Sequence, residues 1–174
     1  MAFISISITK NHPLILGKGG FGRQLADWLS AEGWGEAEFL DDSAPGCVGG
    51  LRDYADPKLL KPGRPAFVAL GDNALRVELL QKLAAAGYDT PVFISDMAAV
   101  SPSAVLEPGC VILPQAYVGA DAHLGVGCII NGGAIVDHDA VLGRGVHVAP
   151  GGLVKAGAEV EALTQVDSGE ILKK

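Results

Sequence analysis

Aliphatic side chains recur every six residues through the second half of the chain. They occupy thirteen successive positions of one register: Val100, Leu106, Ile112, Val118, Leu124, Ile130, Val136, Leu142, Val148, Val154, Val160, Val166 and Leu172. An α-helix has 3.6 residues per turn and a strand alternates in twos, so neither keeps a period of six on one face. The repeat instead predicts a parallel β-helix in which each hexad forms one side of a prism. We expect these aliphatics to point inward.

A small side chain stands four residues after most of these aliphatics, where it would fit near the next corner of the prism. The set is Cys110, Ala116, Ala122, Cys128, Ala134, Ala140 and Ala158. Because unpaired cysteine is often buried, we interpret Cys110 and Cys128 as interior filler. The three cysteines of the chain form no CxxC motif, which favours a cytoplasmic protein.

Before the repeat, short apolar runs alternate with helical patterns. Residues 14–16, 38–40, 66–70 and 91–94 predict four strands, and helical patterns follow the first and third of them. Asp72 or Asn73 would cap the second helix and Gly87 would end it. The alternation predicts a small parallel sheet covered by helices. We therefore expect an α/β, Rossmann-like half-domain over residues 1–96 and a β-helix over residues 97–174.

Charge and hydropathy exclude several classes of partner. The net charge is −7 without a basic cluster, which argues against nucleic acid and anionic membranes. No apolar run approaches the roughly 20 residues that span a bilayer. Residues 1–10 alternate isoleucine with serine and threonine, a pattern of a strand and not of a signal peptide. No spacing typical of metal ligands is present, so we expect no metal.

A glycine-rich loop follows the first predicted strand. Gly17, Gly19 and Gly22 satisfy G-x-G-x-x-G between a strand and a helix, and Asp41 lies about twenty residues further on. Glycines let the backbone approach a pyrophosphate, the helix N-terminus favours its charge, and the carboxylate suits a ribose hydroxyl. The pattern favours a nucleotide without specifying NAD. A tight strand-to-helix turn with no ligand is the alternative.

His138 is the strongest candidate for a catalytic side chain. It stands between Asp137 and Asp139 on the outer surface of the predicted prism. A neighbouring carboxylate stabilises imidazolium and can fix the tautomer, as a general base requires. From the residues alone, a solvated surface histidine is an equally good interpretation, and the sequence does not say which aspartate supports the ring.

Taken together, these motifs resemble the hexapeptide-repeat sugar acyltransferases, which include sialic acid O-acetyltransferases and UDP-4-amino-sugar N-acetyltransferases. The matching segments are the glycine loop and residues 39–42, 71–73 with Arg76, 130–131, 138–139 and 147–150. The resemblance implies a left-handed β-helix and a homotrimer with active sites between neighbouring prisms. It also implies acetyl transfer from acetyl-CoA to an amine or hydroxyl of a nucleotide-linked sugar, such as a UDP-sugar, or of a related sugar.

The resemblance further implies roles for individual residues. His138 would be the general base, and Asp139 would raise its basicity. His147 and the backbone near Ala156 would lie on the acetyl-CoA side. The substrate-binding residues would be Gly17, Gly19, Gly20, Phe21, Gly22, Asp41, Asp42, Gly71 and Asn131.

Two other functions stay open at this point. Similar proteins continue for several more hexads, so a shortened coenzyme A side would make this chain a catalytically weak sugar-nucleotide-binding or scaffold protein. An NAD-dependent oxidoreductase fits poorly, because the chain has no separate substrate domain.

Overall fold

The structure is a computed structural model that describes residues 12–59, 61 and 63–173. Its N-terminal region is a three-stranded parallel sheet with helices. Strands β1 (Leu14–Leu16), β2 (Glu38–Leu40) and β3 (Ala66–Val68) pair in the order β2-β1-β3. Helix α1 (Gly20–Ala31) follows β1, α2 (Asn73–Ala86) follows β3, and one 3₁₀ turn covers Asp53–Ala55. The strand predicted for residues 1–10 lies outside the described residues.

The predicted ends of α2 are confirmed. The side chain of Asp72 accepts a hydrogen bond from the backbone N–H of Leu75 at 2.9 Å, which caps the first turn. Gly87 takes a left-handed conformation with φ of 96° and ends the helix.

A parallel β-helix occupies the rest of the chain, as the period of six predicts. Fourteen two-residue strands form three parallel sheets, which we call faces 1, 2 and 3. Face 1 contains β4 (Phe93–Ile94), β7 (Val111–Ile112), β10 (Ile129–Ile130), β13 (His147–Val148) and β16 (Gln165–Val166). Face 2 contains β5 (Ala99–Val100), β8 (Tyr117–Val118), β11 (Ile135–Val136), β14 (Leu153–Val154) and β17 (Ile171–Leu172). Face 3 contains β6 (Val105–Leu106), β9 (His123–Leu124), β12 (Val141–Leu142) and β15 (Glu159–Val160).

The inward aliphatic column is confirmed as the core of the prism. Every member from Ile112 to Val166 is at most 5% exposed, and Cys110 and Cys128 are buried among them as predicted. Burying each aliphatic contributes about 1.5–3 kcal/mol before conformational entropy is counted. The left hand of the coil remains a prediction from the resemblance.

From the corner after β6 onward, the chain turns each corner of the prism through a residue with positive φ. These residues recur every six positions from Gly109 to Gly169, and four of the eleven are not glycine: Gln115, Asp121, Asp139 and Leu163. Side chains at positive φ are strained, although aspartate tolerates this region better than most residues. The corners therefore place a few side chains where glycine would be easier.

The fourth predicted strand does not join the small sheet. Phe93–Ile94 forms β4, which pairs with β7 on face 1, so its assignment to the N-terminal sheet is wrong. The physical reason is that Phe93 is buried between the two regions, in a cluster with Ile15, Phe67 and Ile129. Burial on both sides makes a β-helix strand look like a buried strand of an α/β sheet. The division at residues 96 and 97 remains a prediction.

Candidate active site

The glycine loop joins β1 to α1 in a closely packed turn. Gly17 has φ of 98°, and a Cβ atom on Gly22 would lie 2.0 Å from the carbonyl oxygen of Gly17. Position 22 therefore admits only glycine, because helix α1 begins directly against the end of β1. Cβ atoms at Gly19 and Gly20 would meet nothing within 4 Å, so the open side of the loop is available to a ligand.

Asp41 holds this loop in place. One carboxylate oxygen accepts from the backbone N–H of Lys18 at 2.7 Å, and the other accepts from the N–H groups of Ser43 and Ala44 and from the Ser43 hydroxyl. These donors, Lys18 first, hold the pKa of the Asp41 carboxyl well below its usual range. Asp41 thus positions the glycine loop, with its oxygens already engaged by protein donors.

The other residues predicted for the sugar nucleotide lie at the same end of the sheet. Asp42 follows β2 and accepts from the N–H of Leu51 at 2.8 Å, while Gly71 follows β3 and is exposed. In the order β2-β1-β3, the chain direction of the connections reverses between β1 and β3, and crevices at such a switch point bind ligands in open α/β sheets. The glycine loop and Gly71 flank that crevice.

His138 lies at the corner between faces 2 and 3, with an exposed imidazole. Its Nδ1 is 2.6 Å from Oδ2 of Asp139, so Nδ1–H donates to the carboxylate and the lone pair of the neutral ring lies on Nε2. The hydrogen bond that His138 donates to Asp139, followed by the charge of Asp137, raises the pKa of His138. An exposed histidine with this tautomer is a competent proton acceptor.

The two aspartates beside His138 have different contacts. Asp137 accepts from the backbone N–H of His138 at 2.8 Å and so holds the main chain. Asp139 orients the ring, and it does so from a corner position with φ of 58°. Below them, a Cβ atom on Gly119 would lie 2.5 Å from the backbone nitrogen of His138. Successive coils are therefore in close contact beneath the histidine.

His147 lies in the cleft between the β-helix and the N-terminal region. Its ring is 6.4 Å from that of Phe21 in the first turn of α1, and its Nε2 is 3.4 Å from the Asn131 amide nitrogen. Burial lowers the pKa of His147 to about 4, and the nearby charge of Arg76 acts in the same direction. His147 is therefore a neutral ring at neutral pH, and it links the glycine-loop helix to Asn131.

The predicted residues form two separate groups within one chain. His138 and Ala156 share the corner between faces 2 and 3, in successive coils, since the N–H of Gly157 donates to the carbonyl of His138 at 2.9 Å. Asn131 stands at the corner between faces 1 and 2, beside His147. Face 2 separates the two groups, so a single chain does not bring the proposed base to the Asn131 side.

Arg76 is a structural residue whose role the sequence reasoning missed. Its side chain is buried, and the guanidinium donates to the carbonyls of Gly127, Leu70 and Gly145 at 2.7–2.9 Å. Burial lowers the pKa of Arg76 to about 10, so the group stays charged at neutral pH. The signal was its position four residues before Leu80, on the buried face of α2.

Within the described part of the chain, no cluster of histidine, cysteine, aspartate and glutamate has the geometry of a metal site. Likewise, no described helix is long and apolar enough to cross a membrane.

Comparison with known proteins places this architecture in one class. The domain family described as the PglD N-terminal domain matches residues 14–83. The acetyltransferase domain of PglB from Neisseria gonorrhoeae FA1090, solved with acetyl coenzyme A, is 33% identical, with 93% of this chain and 87% of that chain covered and a TM-score of 0.75. A comparison with curated protein sequences gave no significant match.

A second group of similar structures comes from Caulobacter crescentus. PerB, solved with CoA and GDP-perosamine, is 29% identical, with 94% of this chain and 89% of that chain covered and a TM-score of 0.78. A GDP-perosamine N-acetyltransferase in which one histidine is replaced by alanine, also solved with CoA and GDP-perosamine, gives 27% identity, 94% and 89% coverage, and a TM-score of 0.79. Fold and site thus define a hexapeptide-repeat acetyltransferase. The chain belongs to the sugar acetyltransferase family that carries a PglD-type N-terminal domain.

Proposed function

We propose that this protein transfers the acetyl group of acetyl-CoA to an amine or hydroxyl of a nucleotide-linked sugar, with His138 as general base. The observation that carries the proposal is the 2.6 Å contact between His138 Nδ1 and Asp139, which leaves Nε2 as the proton acceptor on an exposed corner. The similar proteins PglB and PerB were solved with acetyl coenzyme A and with CoA plus GDP-perosamine, which supports acetyl-CoA as acyl donor.

The reaction follows from the roles of these groups. The acceptor nitrogen or oxygen attacks the thioester carbonyl while Nε2 of His138 takes its proton, and the resulting imidazolium is stabilised by Asp139. Collapse of the tetrahedral intermediate breaks the carbon–sulfur bond and releases coenzyme A. A thiol has a pKa of about 8.5, so the thiolate leaves without a strong acid. General-base catalysis of this kind contributes about 10²–10⁴ in rate.

The sugar nucleotide is proposed to bind at the carboxyl end of the small sheet. Gly17, Gly19, Gly20 and Gly22 leave backbone open toward a pyrophosphate, and the N-terminus of α1 favours its negative charge. Asp41 would act by fixing the loop, while Phe21, Asp42 and Gly71 would border the ligand. We expect a uridine nucleotide to bind more tightly than NAD, because the sheet is only half of a dinucleotide-binding fold.

A homotrimer would complete the site. The outward side chains of face 2 form an apolar column that the described residues leave uncovered, with Tyr117, Ile135 and Ile171 at 43%, 37% and 53% exposure. On face 3, by contrast, the outward column alternates the exposed Val105 and Val141 with His123 and Glu159. A second copy packed on face 2 would bring its own Asn131 and His147 toward His138, which one chain cannot do. The acetyl-CoA contacts proposed for His147 and Ala156 would then lie in one cleft.

The decisive experiment follows thiol release from acetyl-CoA in the presence of candidate nucleotide-linked amino sugars. Turnover that His138→Ala lowers by at least about 10² supports the proposal, and activity within a few-fold of wild type contradicts it. Binding of a sugar nucleotide without any thiol release would favour the scaffold function, and tight NAD binding to the full chain would favour an oxidoreductase. The cytoplasmic location, and the exclusion of nucleic acid and membrane as partners, remain predictions.

A further inference from the structure

Two exposed lysines stand one above the other at the corner that carries His138. Lys155 directly follows β14 and Lys173 directly follows β17, and these strands pair in register on face 2. The backbone N–H of Lys155 donates to the carbonyl of Leu172 at 3.1 Å, so the two lysines occupy the same position in successive coils. Asp137, next to His138 in the chain, has this position one coil earlier.

The lysine pair is unusual for the surface it occupies. From residue 97 onward the sequence contains eight acidic residues but only four basic ones, which are Arg144, Lys155, Lys173 and Lys174. Neighbouring strands lie about 4.8 Å apart, and like charges directly opposite each other on neighbouring strands are destabilising. No carboxylate among the described residues lies within ion-pair distance of Lys155 or Lys173. The unpaired stack is therefore suited to an anion from outside the chain.

The spacing from His138 fits one such anion. Lys173 lies two coils beyond the level of His138, or about 10 Å along the prism axis, and a lysine side chain adds about 6 Å of reach. The pantetheine arm of coenzyme A, from sulfur to the first phosphate, is about as long as five extended residues, roughly 16 Å. With the thioester at His138, the phosphates of an extended arm can therefore reach Lys173. Lys155, one coil nearer to His138, meets them when the arm bends.

We propose that Lys155 and Lys173 bind the phosphates of coenzyme A, so that this corner holds the donor at one end by its phosphates and at the other by the reacting thioester. This proposal rests on the acetyl transfer proposed above. The anionic donor then meets positive charge at this corner only in the last two coils, while Asp121, Asp137 and Asp139 line the same corner in the coils before them. This uneven distribution of charge orients the pantetheine arm of coenzyme A in one direction along the corner.

The test is calorimetric binding of coenzyme A to the full-length protein, which needs no acceptor sugar. Lys155→Glu and Lys173→Glu should each weaken binding by at least about fivefold. Each removes one exposed ion pair, which is worth up to about fivefold, and adds repulsion from the new carboxylate. Arg144→Glu is the matched control, because it makes the same charge change at the corner between faces 3 and 1 and should leave the affinity unchanged. Raising the salt concentration should weaken wild-type binding and reduce the difference between the lysine variants and wild type.

A second measurement compares acetyl-CoA with S-acetyl-pantetheine, which lacks the phosphates. In wild type the KM for acetyl-CoA should be the lower of the two, and in Lys155→Glu the two KM values should converge. Equal losses of affinity in Arg144→Glu and the lysine variants would overturn the proposal, as would unchanged binding in both lysine variants. If wild type binds coenzyme A with this lysine dependence but transfers no acetyl group, the proposed function fails while the phosphate site stands.

Discussion

Replacing Asp139 by glycine should separate the catalytic use of this residue from its cost to the fold. Asp139 takes φ of 58°, and seven of the eleven corner residues with positive φ are glycine. A left-handed conformation costs an L-residue about 1–2 kcal/mol, with aspartate at the low end, and glycine adopts it freely. Glycine also raises the entropy of the unfolded chain by about 0.5–1 kcal/mol. The net change in the free energy of unfolding should thus lie between zero and about 1 kcal/mol of stabilisation.

The same substitution removes the partner of His138 Nδ1. Without the carboxylate the ring loses its fixed tautomer and the stabilisation of its protonated form, so kcat should fall by about 10²–10³, within the range of general-base effects. Because Asp139 raises the pKa of His138, and the neutral ring is the active form, the rise of kcat/KM with pH should move to lower pH in Asp139→Gly. Asp139→Asn should lose the charge with a smaller effect on ring position.

Asp121→Gly is the matched control, because Asp121 occupies the same corner one coil earlier with the same φ of 58°. Thermal unfolding, steady-state kinetics and a pH–rate profile of both variants make the comparison. Equal Tm values with a large difference in kcat are expected, where 1 kcal/mol corresponds to about 2–4 °C for a chain of this size. If Asp139→Gly unfolds much earlier than Asp121→Gly, the carboxylate is structural. If its kcat and pH profile match those of Asp121→Gly, Asp139 does not orient the base.

Three further predictions concern the loop, the cleft and the assembly. Gly22→Ala should destabilise the protein by at least about 2 kcal/mol in denaturant unfolding, because the added methyl group would collide with the main chain of Gly17, directly after β1. Gly20→Ala should be tolerated, and equal stabilities of the two variants would contradict this packing. The pKa of His147 is about 4 in the folded protein and near 6.5 when unfolded, so the unfolded state binds more protons in this range. As the pH is lowered from 6.5 to 4, the free energy of unfolding should therefore decrease by roughly 1–2 kcal/mol after allowance for partial exposure. His147→Gln should remove that part of the pH dependence, and an unchanged slope would refute it. Ile135→Asp on face 2 should dissociate the trimer in sedimentation velocity, while Val141→Asp on face 3 should not; a trimer that survives Ile135→Asp places the interface elsewhere.

The β-helix could be predicted because its signal is repeated and depends on one type of side chain. Thirteen aliphatics in a single register leave no other regular structure. The corners were harder, because Gln115 and Leu163 stand at positive φ where a search for glycine finds nothing. Phe93 misled the assignment of β4, since its outward side chain is buried by a neighbouring layer that the sequence does not reveal.

The candidate site was predictable in its residues but not in its geometry. The sequence placed two aspartates beside His138. The backbone conformation of the corner decides that Asp139 contacts the ring and that Asp137 contacts the main chain. For the same reason, Asp41 was expected to contact a ribose, yet its oxygens are engaged by the loop it follows. Spacing along the chain gives the neighbours of a residue, whereas the direction of each side chain depends on turns that many sequences can form.

The buried seam between the two regions has a consequence for how the chain is made. Val111 and Ile129 of the β-helix pack against Ile15, Leu25 and Phe67, and the carbonyls of Gly127 and Gly145 accept hydrogen bonds from Arg76. During synthesis the first 90 residues leave the ribosome before any of these partners has emerged. An apolar flank and a charged guanidinium therefore remain uncovered until the third coil has emerged. A ribosome-bound chain of which only residues 1–95 have emerged should accordingly be bound by chaperones and cleaved by proteases, and one of which residues 1–150 have emerged should not.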